Sequence, residues 1–465
     1  MTIRTRRCLF YGLVALFFIV GTGVVFYAQG WRLNLATFKT SKVGAIYVRS
    51  YPDGAQITLN KKPVKNTSGF LSRGTLLSNL FPENYTLALS AQGYDSWTEN
   101  AAVSPTLVTE MKYAVLVPSN AASVTNITNV GSFFETGGNI AIEAANGTIT
   151  RQAAGATETL PASPTSTTSS ATLSTIIGHG TIVSHSNDFT TIVERSPAGV
   201  YSAYDLSNAT STNLSALFAK ASIATKTITA VTVNPYNSSN VIVQTATHLF
   251  TIDLRADTIT SFKTATEGQT LESPLALSSS WLAFAQYLNA SGTSQIVVYD
   301  PFSQNVVDAS LSLPGHIKSL QWIRSTELGI LQEDGELFRY DIPSETLTKV
   351  ADDVASFYPT SDGSALAALE SRSVEVFSFT TSDYYRFNLP EMASVQSLTW
   401  YKDEAHLFVT YPDHVSFLDL ADLSLHNFTT VSAIADGTTA IYDEQENSLY
   451  LIDTGKKLIR FDFPN

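Results

Sequence analysis

The chain has 465 residues, and hydrophobic residues make up 44% of it, which provides for large cores and excludes a wholly disordered protein. Charged residues are only 15%, against about 25% in an average soluble protein. The net charge of −13 is uneven, because residues 1–52 carry seven of the 28 Lys and Arg residues while all 41 acidic residues lie in 53–465. A body this acidic repels phosphates, which argues against nucleic-acid binding.

The chain contains one cysteine, Cys8. A single cysteine excludes an internal disulfide, a cysteine-based zinc site and a CxxC redox motif. A eukaryotic secreted protein of this size usually carries disulfides. The cysteine count therefore favours a bacterial surface protein or a cytosolic one.

The N-terminal segment predicts a membrane anchor. Residues 8–28, CLFYGLVALFFIVGTGVVFYA, form an uncharged run of 21 residues, long enough to cross roughly 30 Å of hydrocarbon as a helix. Three basic residues precede the run, namely Arg4, Arg6 and Arg7. We therefore expect a cytoplasmic basic tail at 1–7, an uncleaved transmembrane signal anchor at 8–28, and a polar stalk at 29–42. Because arginines next to a span favour the cytoplasmic side, the body is predicted to be extracellular.

A cleaved signal peptide is the alternative. Its apolar core should span only about 7–15 residues and end at a small-x-small site. Gly21-Thr22-Gly23 offers such a site, but the apolar run continues through residues 24–28. The length of the run favours the anchor.

Residues 43–118 predict a small β-sandwich. Residues 46–49 and 56–60 alternate between apolar and polar side chains, as strands do. Pro52-Asp53-Gly54 between them is a turn sequence, because proline presets its own φ and glycine tolerates a positive φ. A further alternating stretch covers residues 85–90.

This region resembles the PEGA domain, a small β-sandwich common on bacterial and archaeal cell surfaces. The tetrapeptide that names the family stands here as Pro52-Asp53-Gly54-Ala55, with Asp in place of the usual Glu, and the family's Gly-Tyr pair is Gly93-Tyr94. The resemblance implies a surface interaction or spacer module without catalysis. The residues themselves favour turn and core roles for Asp53 and Tyr94, with a ligand contact as the alternative.

Residues 120–465 predict a β-propeller of seven or eight blades. A strand ending in aspartate recurs, with a degenerate copy at 376–380; the copies are YSAYD (201–205), LFTID (249–253), IVVYD (296–300), LFRYD (337–341), VSFLD (415–419) and LYLID (449–453). Successive end points lie 34 to 48 residues apart, close to the period of about 40 expected for a four-stranded blade. Both faces of these strands carry apolar residues, which suits a sheet packed between two neighbours. The blade pattern resembles TolB-like and WD40-like propellers, for example at 355–369.

The first and last parts of the propeller are less regular. An eighth blade is possible at 139–150, with a hairpin turn at Asn146-Gly147. Residues 153–174, rich in Ala, Ser, Thr and Pro, are predicted to be a low-complexity insertion loop. We expect the last strand, near 458–463, or a strand near residue 120 to complete a shared blade that closes the ring.

No catalytic signature appears in the sequence. HExxH, the Walker loop, GxGxxG, GxSxG and the EF-hand loop are missing. We therefore expect no enzyme activity, no cofactor and no metal site. The repeated strand-end aspartates are expected to accept turn N–H groups. The acidic segments at 333–336 and 442–446 are expected to be solvated hairpin turns, or else weak calcium sites.

The functional expectation is a non-enzymatic, membrane-anchored cell-surface protein, whose PEGA-like module and propeller bind or scaffold a protein or a cell-envelope glycan. The alternative is a membrane-anchored polysaccharide hydrolase or lyase. That alternative requires two carboxylates at a channel mouth with aromatic platforms such as Trp281, Trp322 or Trp400. These tryptophans lie in strand patterns, so packing is the role that the sequence favours.

Overall fold

A computed structural model describes most of the chain, in two compact units. The described residues are 3–34, 38–68, 73–124, 129–136, 139–145, 149–153, 180–187, 189–205, 210–301, 303–390, 394–421 and 427–464. One unit comprises residues 1–120 with 424–429 and 463–465, and the other comprises 121–423 and 430–462. The predicted insertion loop at 153–174 lies outside the described residues apart from residue 153, and the predicted turn at Asn146-Gly147 lies outside them entirely.

The first unit begins with helix α1 (Ile3–Ala28). The helix starts five residues before the predicted span of 8–28, because nothing in the basic segment stops a helix. Arg6 and Arg7 are exposed on its first turns, and Arg4 lies on the same helix. The 24 residues Thr5–Ala28 are long and apolar enough to cross a membrane, and none of that stretch is buried.

The segment predicted as a stalk contains a two-stranded antiparallel hairpin, β1 (Trp31–Asn34) and β2 (Lys39–Lys42). The hairpin is closed by the Val43 N–H, which donates to the Gly30 carbonyl oxygen at 3.0 Å. The Arg32 guanidinium donates to the Tyr27 carbonyl oxygen at 2.8 Å and to the Asn79 side-chain oxygen at 3.0 Å. These bonds tie the end of the helix to the module that follows.

That module is a β-sandwich of two sheets. Its strands are β3 (Gly44–Tyr51), β4 (Gln56–Leu59), β5 (Lys62–Val64), β6 (Thr75–Leu80), β7 (Asn84–Ser90), β8 (Trp97–Ala102) and β9 (Val108–Val115). One sheet has the order β6-β3-β9, with β3 and β9 parallel, and the other has the order β5-β4-β7-β8. The alternating side chains of β3 and β7 bury one face of each strand in a shared core that includes Ile46, Ile57 and Leu87.

The second unit is a β-propeller of eight successive antiparallel sheets among the described residues. Blade 8 combines the N-terminal strand β10 (Ala122–Ser123) with three C-terminal strands given below. Blade 1 contains β11 (Val130–Thr136), β12 (Asn139–Ala144) and β13 (Ile149–Ala153), and blade 2 contains β14 (Thr181–His185), β15 (Thr191–Arg195), β16 (Tyr201–Asp205) and β17 (Thr210–Asn213). Blade 3 contains β18 (Ile228–Val233), β19 (Asn240–Thr245), β20 (His248–Asp253) and β21 (Thr258–Thr264). Blade 4 contains β22 (Gln269–Leu277), β23 (Leu282–Leu288), β24 (Thr293–Asp300) and β25 (Asn305–Asp308), and β26 (Ser312–Pro314) pairs with β24. A short helix α2 (Leu214–Lys220) and a 3₁₀ turn (Thr225–Thr227) join blades 2 and 3.

The remaining strands complete the ring. Blade 5 contains β27 (Ile317–Arg324), β28 (Glu327–Gln332), β29 (Leu337–Asp341) and β30 (Thr346–Ala351), and blade 6 contains β31 (Ser356–Pro359), β32 (Ala365–Leu369), β33 (Ser373–Ser378) and β34 (Tyr384–Asn388). Blade 7 contains β35 (Ser397–Trp400), β36 (His406–Thr410), β37 (His414–Asp419) and β38 (Thr429–Ala433). Blade 8 contains β39 (Ile441–Asp443), β40 (Ser448–Ile452) and β41 (Leu458–Asp462), and β41 pairs with β10. The first strands of several neighbouring blades contact one another, so they line the centre of the propeller.

The ring is closed by the pairing of the two ends of the propeller sequence. Ala122 pairs with Arg460 and Ser123 with Ile459. A core cluster also joins blade 8 to blade 1, with Tyr450 of β40 packed together with Ile140 of β12. The predicted shared blade is therefore confirmed, and the three-stranded blade 1 brings the number of blades among the described residues to eight, the higher of the two predicted counts.

Candidate functional site: a pocket at the inner strands of blades 6 to 8

A cavity of about 300 Å³ opens where the inner strands β31, β35 and β39 end. We call it the channel-mouth pocket, and its walls include Tyr358, Thr360, Trp400, Lys402, Glu404 and Glu444. Three consecutive blades supply these residues from their first strands and from the turns that follow. The pocket is therefore assembled from the same position of three repeats.

Trp400, the last residue of β35, forms an aromatic wall of the pocket. Its indole N–H donates to the Tyr358 carbonyl oxygen of the neighbouring blade at 2.9 Å. The tryptophan is half-buried, and the buried rings of Tyr401 and Tyr442 pack together beside it with centroids 5.3 Å apart. Because its indole is bonded and its neighbours are packed, the ring is held in place without being covered.

Two charged residues of the pocket, Lys402 and Glu404, lie on the turn between β35 and β36, and a third, Glu444, follows β39. The Glu404 N–H donates to the Tyr401 carbonyl oxygen at 3.0 Å, which closes the turn. Asp403 binds Nδ1 of His406 at 2.8 Å, and His406 is fully buried and stacked on Phe417. Burial acts to lower the pKa of His406, but the hydrogen bond and charge of Asp403 outweigh it and raise that pKa. This ion pair fixes the turn that presents Lys402 and Glu404.

Burial shifts the pKa of Glu404 and the pKa of Lys402. Burial raises the pKa of Glu404, and the nearby carboxylates of Asp362 and Glu444 add to the effect. The Ser364 hydroxyl donates to Glu404 Oε2 at 2.8 Å, which opposes it. Burial also lowers the pKa of Lys402. The pocket thus contains a carboxyl group, Glu404, with a raised pKa and an ammonium group, Lys402, with a lowered pKa.

The three tryptophans named from the sequence are all half-buried. Trp400 lines the pocket, whereas Trp281 and Trp322 are not part of its walls. The Trp322 indole donates to the Ala276 carbonyl oxygen at 3.2 Å, and its ring lies 5.9 Å from that of Trp281. Packing therefore explains the positions of Trp281 and Trp322.

The PEGA-like tetrapeptide forms the connection between β3 and β4. Asp53 and Gly54 are exposed, Gly54 has a φ of +82°, and Ala55 is buried in the sandwich core. The Ser50 hydroxyl donates to the Pro52 carbonyl oxygen at 3.0 Å. These contacts are those of a turn.

Gly93 and Tyr94 also occupy a turn. Gly93 has a φ of +85°, and its carbonyl oxygen accepts the Ser119 N–H at 3.0 Å. Tyr94 packs against the sandwich core and pairs with Pro118 in an isolated bridge. The motif residues therefore lie at two separate turns.

Several strand-end aspartates accept backbone N–H groups of the following turns, as the sequence predicts, whereas Asp341 accepts the Ser344 hydroxyl. Asp253 Oδ1 accepts from Arg255 at 2.8 Å, and Asp453 Oδ1 accepts from Lys457 at 2.8 Å. In the acidic segment at 442–446, residues 444–446 form an exposed turn, as expected, whereas the strand end before them is not solvated. Asp443 is buried, and Glu444 lines the channel-mouth pocket.

The sequence patterns single out neither Lys402 nor Glu404, and they place Glu444 only in the acidic segment at 442–446. A usable signal existed, because each follows an aromatic residue at or near the end of an inner strand, in Trp400-Tyr401-Lys402 and Tyr442-Asp443-Glu444. Within the part of the chain that the structure describes, no group of three or more His, Cys, Asp or Glu residues is arranged to hold a metal ion.

No protein-family model and no curated protein matches the chain. Solved structures are similar at low identity. BamB from Moraxella catarrhalis is 12% identical with a TM-score of 0.44, over 74% of this chain and 100% of that one. An oligogalacturonate lyase in complex with manganese is 10% identical with a TM-score of 0.44, over 73% and 99%. The computationally designed Ika8 protein is 10% identical with a TM-score of 0.48, over 73% and 98%. At these values the similarities carry no argument about function.

Proposed function

We propose that this protein is a membrane-anchored, non-enzymatic cell-surface protein whose propeller binds a cell-envelope glycan in the channel-mouth pocket. The observation that carries the proposal is the fixed, partly exposed ring of Trp400 beside Lys402 and Glu404. A sugar ring offers an apolar face and a rim of hydroxyl groups. A pocket that pairs an aromatic ring with a few polar groups suits that chemistry.

The first unit supports a surface location. Helix α1 is long and apolar enough to span a bilayer, and Arg6 and Arg7 at its start favour an N-terminus inside the cell. The β-sandwich carries the turn tetrapeptide of the PEGA-like motif between two strands, and we assign it as a PEGA-like spacer. The body then faces the envelope or the exterior.

Glycan binding is tested with the full-length chain in lipid nanodiscs, immobilised and exposed to soluble polysaccharide prepared from the cell envelope. The wild type is expected to retain carbohydrate, and Trp400→Ala is expected to lose at least about tenfold in affinity, because stacking on an aromatic ring is removed. Trp322→Ala is the matched control, since Trp322 occupies the same strand position in blade 5, opposite Leu328 as Trp400 is opposite Leu407. Equal retention by wild type and Trp400→Ala would overturn the assignment of the pocket.

Topology has its own test. A C-terminal tag is expected to be lost when intact cells are treated with protease, or after the outer layers are opened if the body is periplasmic. Protection until the inner membrane is lysed would place the body in the cytosol and contradict the proposal.

A second candidate function is a polysaccharide hydrolase or lyase at the same pocket. It is favoured by the raised pKa of Glu404 beside a second carboxylate, Glu444, because glycoside cleavage uses such a pair as acid and base. The test is release of new chain ends from the retained polysaccharide. If the wild type releases new chain ends and Glu404→Gln abolishes that release, the protein is a polysaccharide-cleaving enzyme. If the polysaccharide is retained and no new chain ends are released, the result supports a binding protein.

A further inference from the structure

Two cavities of similar size lie at matching positions in adjacent blades, away from the channel-mouth pocket. One, between blades 3 and 4, has a volume of about 320 Å³, and the other, between blades 2 and 3, has about 300 Å³. Both are lined by a strand-end aspartate and by threonines of the outermost strand. Asp253 pairs with Thr258 in blade 3, and Asp205 pairs with Thr210 in blade 2.

The strand-end aspartate of blade 3 differs from those of blades 4 and 5. In blades 4 and 5 a serine three residues later donates to the second carboxylate oxygen, Ser303 to Asp300 at 2.7 Å and Ser344 to Asp341. In blade 3 that position is Ala256, and its N–H donates to Oδ1 of Asp253. Among the described residues no hydrogen bond engages Asp253 Oδ2, so this oxygen is available to a ligand in the cavity.

A tyrosine of the same cavity shows a similar difference. Tyr299 and Tyr340 occupy the same position, one residue before the strand-end aspartate, in blades 4 and 5. The Tyr340 hydroxyl donates to Asp308 of the preceding blade at 2.7 Å. Tyr299 instead stacks on Phe262 of the preceding blade, with centroids 5.1 Å apart. Tyr299 is 7% exposed and lines the cavity, yet no hydrogen bond among the described residues engages its hydroxyl.

We infer that the cavity between blades 3 and 4 binds one neutral pyranose residue, and we call it the outer-blade pocket. Tyr299 and Asp253 supply an unpaired hydroxyl and an unpaired carboxylate oxygen, and Thr251 and Thr260 add further hydroxyl groups. The described residues that line the cavity include no Lys or Arg, which disfavours an acidic sugar. Its volume lies at the lower end of the roughly 300–1,000 Å³ range of ligand pockets, so it accommodates a single ring.

This inference rests on the proposed function for the class of ligand but concerns a different site. The matching cavity between blades 2 and 3 contains Arg255, so the two sites differ in charge. A second site distinct from the channel-mouth pocket would let one propeller hold a polysaccharide at two points. Linked weak sites raise the overall affinity without any new contact.

The experiment uses the full-length chain in nanodiscs, with Trp400→Ala as the background that disables the channel-mouth pocket. Methyl glucoside, methyl galactoside and methyl mannoside are the probes, and binding is read by saturation-transfer NMR and by titration calorimetry. At least one probe is expected to bind, and Tyr299→Phe in that background is expected to weaken its binding by about tenfold, as the loss of one hydrogen bond does. Asp253→Asn is expected to act likewise, whereas Asp300→Asn, with both oxygens bonded within its own turn, leaves binding unchanged.

The outcomes separate this inference from the proposed function. Binding of a hexoside by wild type that disappears in Trp400→Ala would overturn the outer-blade pocket and leave the channel-mouth pocket standing. If the Trp400→Ala variant binds a hexoside and neither Tyr299→Phe nor Asp253→Asn weakens that binding, the outer-blade pocket is also overturned. Binding in Trp400→Ala that both variants weaken would support it, whether or not polysaccharide is retained at the channel mouth.

Discussion

The contact between Tyr340 and Asp308 makes a quantitative prediction about the interface of blades 4 and 5. The Tyr340 ring is 1% exposed, and its hydroxyl donates to Asp308 Oδ2 at 2.7 Å. The same hydroxyl lies 3.0 Å from the Ser310 hydroxyl. Tyr340→Phe removes both bonds and leaves the ring in place, so it isolates the polar contribution.

The magnitude follows from the charge of the acceptor. A hydrogen bond to a charged group contributes roughly 1.5–3 kcal/mol, against about 1 kcal/mol for a neutral pair. We therefore expect Tyr340→Phe to lower the free energy of unfolding by about 2–3 kcal/mol at neutral pH. In a unit of this size that corresponds to a fall in Tm of roughly 3–5 °C.

The loss should depend on pH. Burial alone raises the pKa of Asp308, but hydrogen bonds from Tyr340, Ser310 and the Ala309 N–H outweigh it, so the pKa lies below its ordinary value. A lowered pKa in the folded state means that the stabilisation is present above the ordinary pKa of about 3.9 and is lost as the pH falls through the folded value. The difference between wild type and Tyr340→Phe is therefore expected to shrink in acid.

The assay is thermal unfolding of full-length protein in detergent micelles, followed by circular dichroism at pH 7 and at pH 3. Tyr299→Phe is the matched control, because the same residue one blade earlier has no hydrogen bond to lose among the described residues. We expect its Tm to stay within about 1 °C of the wild type. The reasoning is refuted if Tyr299→Phe is as destabilising as Tyr340→Phe, or if the Tyr340→Phe difference does not shrink at low pH.

Two further predictions concern the ring and one of its turns. Deleting residues 456–465 removes β41, which pairs with both β40 and β10, so the deletion is expected to lower Tm sharply; an unchanged transition would contradict closure by this strand. Gly363 has a φ of +70°, and a Cβ there would clash with the Ile323 carbonyl oxygen of the neighbouring blade. Gly363→Ala should therefore be more destabilising in thermal unfolding than Gly437→Ala, where φ is +76° but no atom lies within 4 Å of the added carbon; equal losses would show that the clash is relieved.

The propeller could be predicted because its repeat is local. Blades 2, 3, 4, 5 and 7 each contain a third strand that ends in aspartate, such as β20 at Asp253 and β29 at Asp341, and the aspartate bonds to the turn immediately after it. The number of residues between such ends follows from four short strands and their turns. The prediction that the last strand or a strand near residue 120 completes a shared blade is confirmed by the pairing of β10 with β41.

Pairing in the sandwich could not be predicted in the same way. Residues 46–49 and 56–60 alternate correctly as strands, and the turn between them is correct, but β3 and β4 lie in different sheets. β3 pairs with β6 and with the distant β9, and β4 pairs with β5 and β7. Alternation shows which face of a strand is buried and contains no information about its partner.

The channel-mouth pocket is still harder to predict from the sequence than the strand pairing of the sandwich. Tyr358, Trp400 and Glu444 lie on three different blades, and they meet only because the inner strands of those blades end at the same level. Trp400 was recognisable as an aromatic candidate from its type alone. The raised pKa of Glu404 depends on burial and on Asp362 of the preceding blade, which a linear pattern does not show.

The most direct test of the proposed function is hydrogen–deuterium exchange of the full-length chain in nanodiscs, with and without envelope polysaccharide. Binding at the channel-mouth pocket is expected to slow exchange in the segments 358–361, 398–404 and 442–444, which supply its walls. Protection confined to the sandwich at 43–118, or no protection at saturating polysaccharide, would contradict glycan binding by the propeller.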